Sequence, residues 1–293
     1  MLKDKRKEDV VMLQETFHVA VPTGFFKDES LNIQGTIEHI RYLYNQGVKS
    51  VLVCGTTGEQ HSLTLKEKIE ILNHLVGEEE LINHMEIIFG VSSIRQLEAE
   101  ELAKKICNTK VAGILLGYPP YISPTQEEAI VYTKRIINLS HKPTILYNNP
   151  KRTGFDLSLE SIVQLSKTNY VVGIKEAGNK ERVASLKKHI KRNDFYFYAG
   201  GELELKEKVL EGFNRLSSIA GNIFPIECKE WFSKILTNQE ITEQEQKKVN
   251  TIIEQVYQGS PLVHVKEMIN QKGILLGICR SPLGNVELKK PTS

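Results

Sequence analysis

A chain of 293 residues, 40% apolar and 25% charged, is long enough for one large α/β domain, or two small ones, with a sizeable core. Its 38 basic and 36 acidic residues are interspersed and leave a formal net charge of +2. That excludes the concentrated basic face of a nucleic-acid or acidic-membrane binder and leaves a small molecule as the expected partner.

The charged start MLKDKRKEDVVMLQ lacks an apolar leader region, and no later stretch has the length of a spanning helix. A cytoplasmic protein is expected. Cys54, Cys107, Cys228 and Cys279 lie far apart with no CxxC and no Cys/His ligand spacing, so they read as buried free thiols, with no metal site.

Residues 1–16 read as a charged arm, a short helix or a solvated segment. HVAVPTGF is a first apolar strand, followed by a helix from Ile33 to Gln46 that closes at Gly47. SVLVCG is strand two. Thr64 then reads as the N-cap of LKEKIEILNHLV, with Glu67 completing a capping box.

The alternation continues with MEIIFGVSS, a helix to about Cys107, AGILLGYPPY, and a helix from Gln126 to Leu139. PTILYNNP precedes a helix near Ser158–Ser166; YVVGIKEA precedes one near Lys180–Ile190. DFYFYAGG and RLSSIAGN are strands seven and eight. Eight such units are what a closed (β/α)₈ TIM barrel requires. A doubly wound open sheet is the competing arrangement, but neither GxGxxG nor a Walker loop is present. Beyond Pro225 the pattern is helical only. The barrel is therefore expected over residues 17–236, with a C-terminal helical extension over 237–293.

A barrel of this kind carries its chemistry at the C-terminal ends of its strands. The run Val171–Ile174 ends in Lys175, where a partly desolvated ammonium loses its charge more readily and becomes a nucleophilic amine. A lone lysine there often only snorkels to solvent. Its company decides. Strand two ends in Gly55, Thr56, Thr57, Gly58 and Glu59, hydroxyls beside glycines suited to a small carboxylate. Strand five ends in Tyr147, next to the strand of Lys175 and suited to acid/base work, and Arg152 follows in the loop NNPKRTG as a fork for a second carboxylate. Tyr118 and Tyr121 lie in the proline-stiffened loop YPPYISP, and read equally well as interface aromatics.

GTTGE, YNNPKRTG and GIKEA, in this order and at these separations, resemble the pyruvate-dependent class I aldolases that include dihydrodipicolinate synthase and N-acetylneuraminate lyase. The resemblance runs from about Phe17 through PLVHVKE and RSPLG. It implies a barrel with a helical extension, assembled as a homotetramer (a dimer of dimers), that needs no metal or organic cofactor. It makes Lys175 the imine-forming lysine and Tyr147 its acid/base. Thr56 and Tyr121 complete a hydroxyl relay, the tyrosine reaching a neighbouring subunit's site. Thr57 and the backbone near Ser217 hold pyruvate beside Gly55, and Arg152 holds the aldehyde's carboxylate.

Pro120 stands where the synthases pair two tyrosines, KEAGN is shortened, AGGE replaces SGDD, and Ser217 replaces a common isoleucine. His61, Leu65, Lys68 and Ile94 occupy the positions of the lysine feedback site, which implies no inhibition by lysine. Condensation of pyruvate with aspartate semialdehyde is the expected reaction. Cleavage of a 2-keto-3-deoxy sugar acid or neuraminate is the alternative, and a non-catalytic keto-acid-binding homologue the third.

Overall fold

The computed structural model describes residues 12–284, so most of the expected N-terminal arm lies outside the described residues. The chain runs β1 (Phe17–Ala20), α1 (Ile33–Asn45), β2 (Ser50–Val53), α2 (Leu65–Gly77), α3 (Glu79–His84), β3 (Glu86–Val91) and α4 (Gln96–Cys107). It continues through β4 (Gly113–Gly117), α5 (Gln126–Ser140), β5 (Thr144–Asn148), α6 (Pro150–Thr153), α7 (Leu159–Leu165), β6 (Val171–Glu176) and α8 (Arg182–His189). Then come β7 (Tyr196–Gly200), α9 (Leu205–Glu211), β8 (Arg215–Ser218), a 3-10 turn (Ala220–Asn222), α10 (Pro225–Leu236), α11 (Glu243–Tyr257) and α12 (Pro261–Gln271). The expected (β/α)₈ barrel with C-terminal helices is what forms.

The strands pair in parallel in chain order, and β1 pairs with β8 to close the barrel. Both faces are covered, which is why the strands read as continuous apolar runs. Inside, Ala20, Leu52, Ile88, Leu115, Ile145, Val172 and Tyr198 fill the lumen, and Leu13 packs against them from the segment before β1. Outside, Val19, Val51, Ile87, Ile114, Leu146 and Leu216 pack under the helices. The capping box at α2 forms as expected: Thr64 Oγ1 accepts from Glu67 N at 3.2 Å and Glu67 Oε2 from Thr64 N at 2.8 Å.

One irregularity aims the central lysine. Thr144 on β5 pairs with Val171 on β6, but the next pair is Ile145 with Gly173, so Val172 is an extra residue. Val172 packs in the lumen, whereas Ile174, two residues on, packs in the outer layer. Alternation of period two, uninterrupted, would have kept Ile174 inside and sent Lys175 out among the helices. The bulge reverses the phase, and Lys175 faces the lumen.

Three details differ from the sequence expectation. Strand eight stops at Ser218, because Glu202 accepts from Ile219 N at 3.1 Å and Ala220 N at 3.2 Å, turning those amides away from a sheet ladder. Arg152 sits on a helical turn instead of a loop: Pro150 opens it, and Asn149 O accepts from the N–H groups of Arg152 and Thr153, each at 3.0 Å. Tyr118 is buried, its hydroxyl 3.0 Å from Thr133 Oγ1, so it belongs to the core and not to an exposed contact. Among the described residues no helix is long and apolar enough to cross a membrane.

Candidate active site

Lys175 lies at the C-terminal end of β6 with only 8% of its surface exposed. Its Nζ donates to Ser217 Oγ at 2.8 Å and stands 5.2 Å from the centroid of the Tyr147 ring. Burial lowers its pKa to about 8; the Glu202 carboxylate opposes that shift, and the charges of Lys208 and Arg152 add to it. Such an amine is neutral in about one molecule in ten at pH 7, against roughly one in three thousand for an ordinary lysine.

Tyr147 is the register partner of Lys175 on β5. Its hydroxyl accepts from Asn149 Nδ2 at 2.8 Å and lies 3.2 Å from Thr56 Oγ1. With Asn149 donating to the phenol oxygen, the phenol's own proton is available to Thr56 or to a ligand. Thr56 comes from the turn after β2, where Cys54 and Glu59 adopt positive φ of 53° and 52°. That turn is held from below. Glu59, fully buried, accepts from Lys266 Nζ of α12 at 2.5 Å and from Arg280 N at 3.0 Å.

A cavity of about 320 Å³ opens beside this group, lined by Gly55, Thr56, His61, Pro120, Tyr147 and Arg152 among others. Lys175 is not part of its lining and lies beneath Tyr147. Lys151 joins Arg152 in the wall, and no carboxylate lines it, so the cavity suits an anion. A wider depression of about 630 Å³ lies at the opposite end of the barrel, where Glu86 begins β3, away from the C-terminal strand ends.

The structure brings together Lys175, Tyr147, Thr56, Gly55 and Ser217, with exposed Arg152 at the rim. Thr57 is buried beside them, and its side chain makes no hydrogen bond among the described residues. Tyr121 is not part of its own chain's site: it is 93% exposed and has a φ of 73°.

Three participants escaped the sequence reading. Asn149 bonds the phenol; its position two residues past Tyr147 was the available signal. His18 lies opposite Ser217 on β1, buried, with a pKa held well below the usual value by burial and by the charges of Lys175 and Arg215. The third is the contact between Glu202 and Tyr257 Oη at 2.6 Å, which spans 55 residues and left no local signal.

A closed parallel barrel that keeps a buried amine beside a phenol and a threonine hydroxyl, all at the C-terminal ends of its strands, is built as a class I aldolase is built. Comparison with known proteins agrees and narrows the class. The profile of the dihydrodipicolinate synthetase family matches residues 14–293. The 4-hydroxy-tetrahydrodipicolinate synthase of Methanococcoides burtonii is 31% identical over 270 residues, covering 91% of each chain. Among solved structures, the dihydrodipicolinate synthase DapA-2 of Bacillus anthracis aligns with a TM-score of 0.81 at 25% identity over 93% of each chain. The chloride-inhibited dihydrodipicolinate synthase of Acinetobacter baumannii, complexed with pyruvate, aligns at 0.78 and 27% over 92% of each. The chain belongs to the dihydrodipicolinate synthetase family, and it is a lyase of the pyruvate-dependent class I aldolase type.

Proposed function

We propose that the protein condenses pyruvate with aspartate semialdehyde, as a 4-hydroxy-tetrahydrodipicolinate synthase. The observation that carries this reading is Lys175, buried at the end of β6 with its pKa lowered to about 8 and Tyr147 beside it. The neutral amine attacks the keto carbon of pyruvate. Tyr147 delivers a proton to the carbinolamine oxygen, which leaves as water, and an iminium forms. The iminium draws electrons from the neighbouring C–H bond; the methyl group loses a proton, and the resulting enamine carbon adds to the aldehyde.

Thr56 passes protons to and from Tyr147, and Tyr121 of a neighbouring subunit completes the relay across a dimer contact within a tetramer. Its 93% exposure and left-handed backbone suit a side chain held out for a partner. Thr57, Gly55 and the backbone at Ser217 hold the pyruvate carboxylate. Arg152 grips the carboxylate of the aldehyde, and the adjacent Lys151 strengthens that preference for an anion over a neutral sugar. A cytoplasmic enzyme without metal or organic cofactor fits this chemistry.

Mass spectrometry of the intact protein after borohydride reduction with pyruvate tests the reading. A pyruvate adduct on the native chain, lost in Lys175→Ala, is expected; no adduct on folded native protein overturns it and points to a keto-acid-binding homologue. Turnover of pyruvate with aspartate semialdehyde is expected in the coupled assay. Adduct formation together with pyruvate release from a 2-keto-3-deoxy sugar acid, and no condensation, would assign the cleavage reaction instead.

A further inference from the structure

A phenol donates one hydrogen bond and accepts others on its oxygen. At Tyr147 one donor is already in place: Asn149 Nδ2 gives its N–H to Oη at 2.8 Å, and Thr56 Oγ1 stands 3.2 Å away. Asn149 is the N-cap of α6, a position where an asparagine side chain ordinarily turns its oxygen onto the first free amides of the helix. Here it makes no cap bond, and the phenol is its side chain's only hydrogen-bond partner among the described residues. A side chain suited to capping faces the phenol instead.

The backbone around it fixes that amide. Asn149 precedes Pro150, whose ring turns the residue before it away from helical backbone, and it adopts φ −143° and ψ 78°. Its carbonyl accepts from the N–H groups of Arg152 and Thr153, each at 3.0 Å, and from Thr153 Oγ1 at 3.0 Å. The connection after β6 braces the same turn: a Cβ on Gly178 would lie 3.0 Å from both Cδ and Cγ of Pro150. Asn149 is itself buried, and burial strengthens its bond to the phenol by lowering the local dielectric.

We propose that Asn149 is a positioning residue of the reaction, whose fixed N–H directs the Tyr147 proton toward Thr56 and the ligand and then holds the phenolate once that proton has gone. The inference rests on the imine reading of Lys175. Tyr147 gives its proton to the carbinolamine oxygen, the C–O bond breaks, water leaves, and the nitrogen lone pair closes the iminium. The phenolate left behind takes a proton from the pyruvate methyl group, which restores the phenol and leaves the enamine. Between those two steps the Tyr147 oxygen carries a full negative charge, and a hydrogen bond to a charged acceptor is roughly twice as strong as one to a neutral acceptor. An amide suits this task. It neither gains nor loses a proton near neutrality, so its N–H remains a donor through both steps.

Two measurements on the full chain separate this hydrogen bond from the turn that Asn149 belongs to. Borohydride trapping gauges the imine, and deuterium entering the pyruvate methyl group in heavy water gauges the proton transfer that follows it. Asn149→Ala removes the donor and keeps the carbonyl that fixes α6. It is expected to give the native amount of adduct at equilibrium and deuterium entry slower by about 10- to 100-fold, the loss that goes with a hydrogen bond to a charged group. Asn149→Asp has the same shape and is as good an N-cap, but its carboxylate only accepts. It draws the phenol's proton to itself, and exchange is expected to fall at least as far as in Asn149→Ala. A side chain that served only the turn would give the opposite order, with Asn149→Asp near native and Asn149→Ala the damaged variant. Native-like exchange in Asn149→Asp, or in folded Asn149→Ala, overturns the proposal while leaving the imine intact. Should Asn149→Ala fail to fold, Asn149→Asp decides alone, slow exchange with a native amount of adduct supporting the proposal. Absence of any adduct on the native chain overturns the imine reading itself.

Discussion

Tyr147 and Lys175 are register partners on adjacent parallel strands, and the ammonium nitrogen lies 5.2 Å from the phenol ring's centroid. The pairing depends on the extra residue Val172, which turns Lys175 from the helical side of the sheet into the lumen. Side chains so placed are within reach of one small ligand, and burial keeps bulk water from the amine.

The first consequence is a pH profile. Lys175 titrates at about 8, so below that value the reactive neutral amine is the minor form and its fraction rises about tenfold per pH unit. The rate of pyruvate trapping is expected to climb with that slope from pH 6 to about 7.5 and to level off above 8.5. A profile that is flat across pH 6–8 would show that the amine is not the titrating group.

The second concerns the phenol. Asn149 fixes the orientation of the Tyr147 oxygen, and Thr56 offers the only other side-chain hydroxyl within 3.2 Å among the described residues. Tyr147→Phe is expected to slow turnover by about 10²-fold or more while the adduct still forms. Thr56→Val should slow it less. On the proposed proton path both hydroxyls act together, so the double variant is expected to be little worse than Tyr147→Phe alone, which steady-state kinetics would measure.

How far the sequence could carry this account depends on what each feature needs. The barrel was legible because eight buried parallel strands write eight apolar runs, each closed by turn residues. That Lys175, Tyr147 and Thr56 lie close together was legible because all three stand where such runs end. The direction in which Lys175 points was not, since the bulge at Val172 is a property of pairing with β5, and the run VVGI looks the same with or without it. Strand eight was read too long for a similar reason: RLSSIAGN is uniformly sheet-like until Glu202, sixteen residues earlier than Ser218, takes its amides. Contacts such as Tyr257 with Glu202 and Lys266 with Glu59 exist only after the extension folds back on the barrel.

Arg152 gives the third prediction. It stands at the rim of the cavity on the turn Pro150–Thr153, exposed, and apart from the Lys175–Ser217 contact. Arg152→Ala should leave the pyruvate adduct intact and raise the KM for aspartate semialdehyde by about tenfold or more, the range expected for loss of a charge-assisted carboxylate contact. Equal losses for both substrates would assign the arginine to the scaffold.

A fourth concerns feedback. Lys68 is buried on α2, with its ammonium donating to Ser92 O at 2.7 Å and to Gln60 at 3.3 Å, while Ile94 is exposed nearby in sequence on the β3–α4 connection. An ammonium already fixed here repels a second one. Turnover is expected to be unchanged by millimolar lysine; a hyperbolic loss of activity would show that lysine binds regardless.

The last prediction separates support of the site from the site itself. Lys266 and Glu59 form an ion pair buried on both sides, with Lys266 also donating to Ile278 O at 2.6 Å. Removing one partner of such a pair strands the other's charge in the core, at a cost of about 3–5 kcal/mol. Lys266→Met is therefore expected to lower the midpoint of urea unfolding by that equivalent. The substitution should also loosen the turn that ends in Glu59, whose φ of 52° this pair helps hold, and so displace Thr56 from Tyr147. Glu59→Gln/Lys266→Met removes both charges together and should recover much of the stability. It should recover less of the activity, because an uncharged pair no longer draws the turn against α12. Full recovery of both in the double variant would show that the strain at Glu59 has no bearing on the hydroxyl relay.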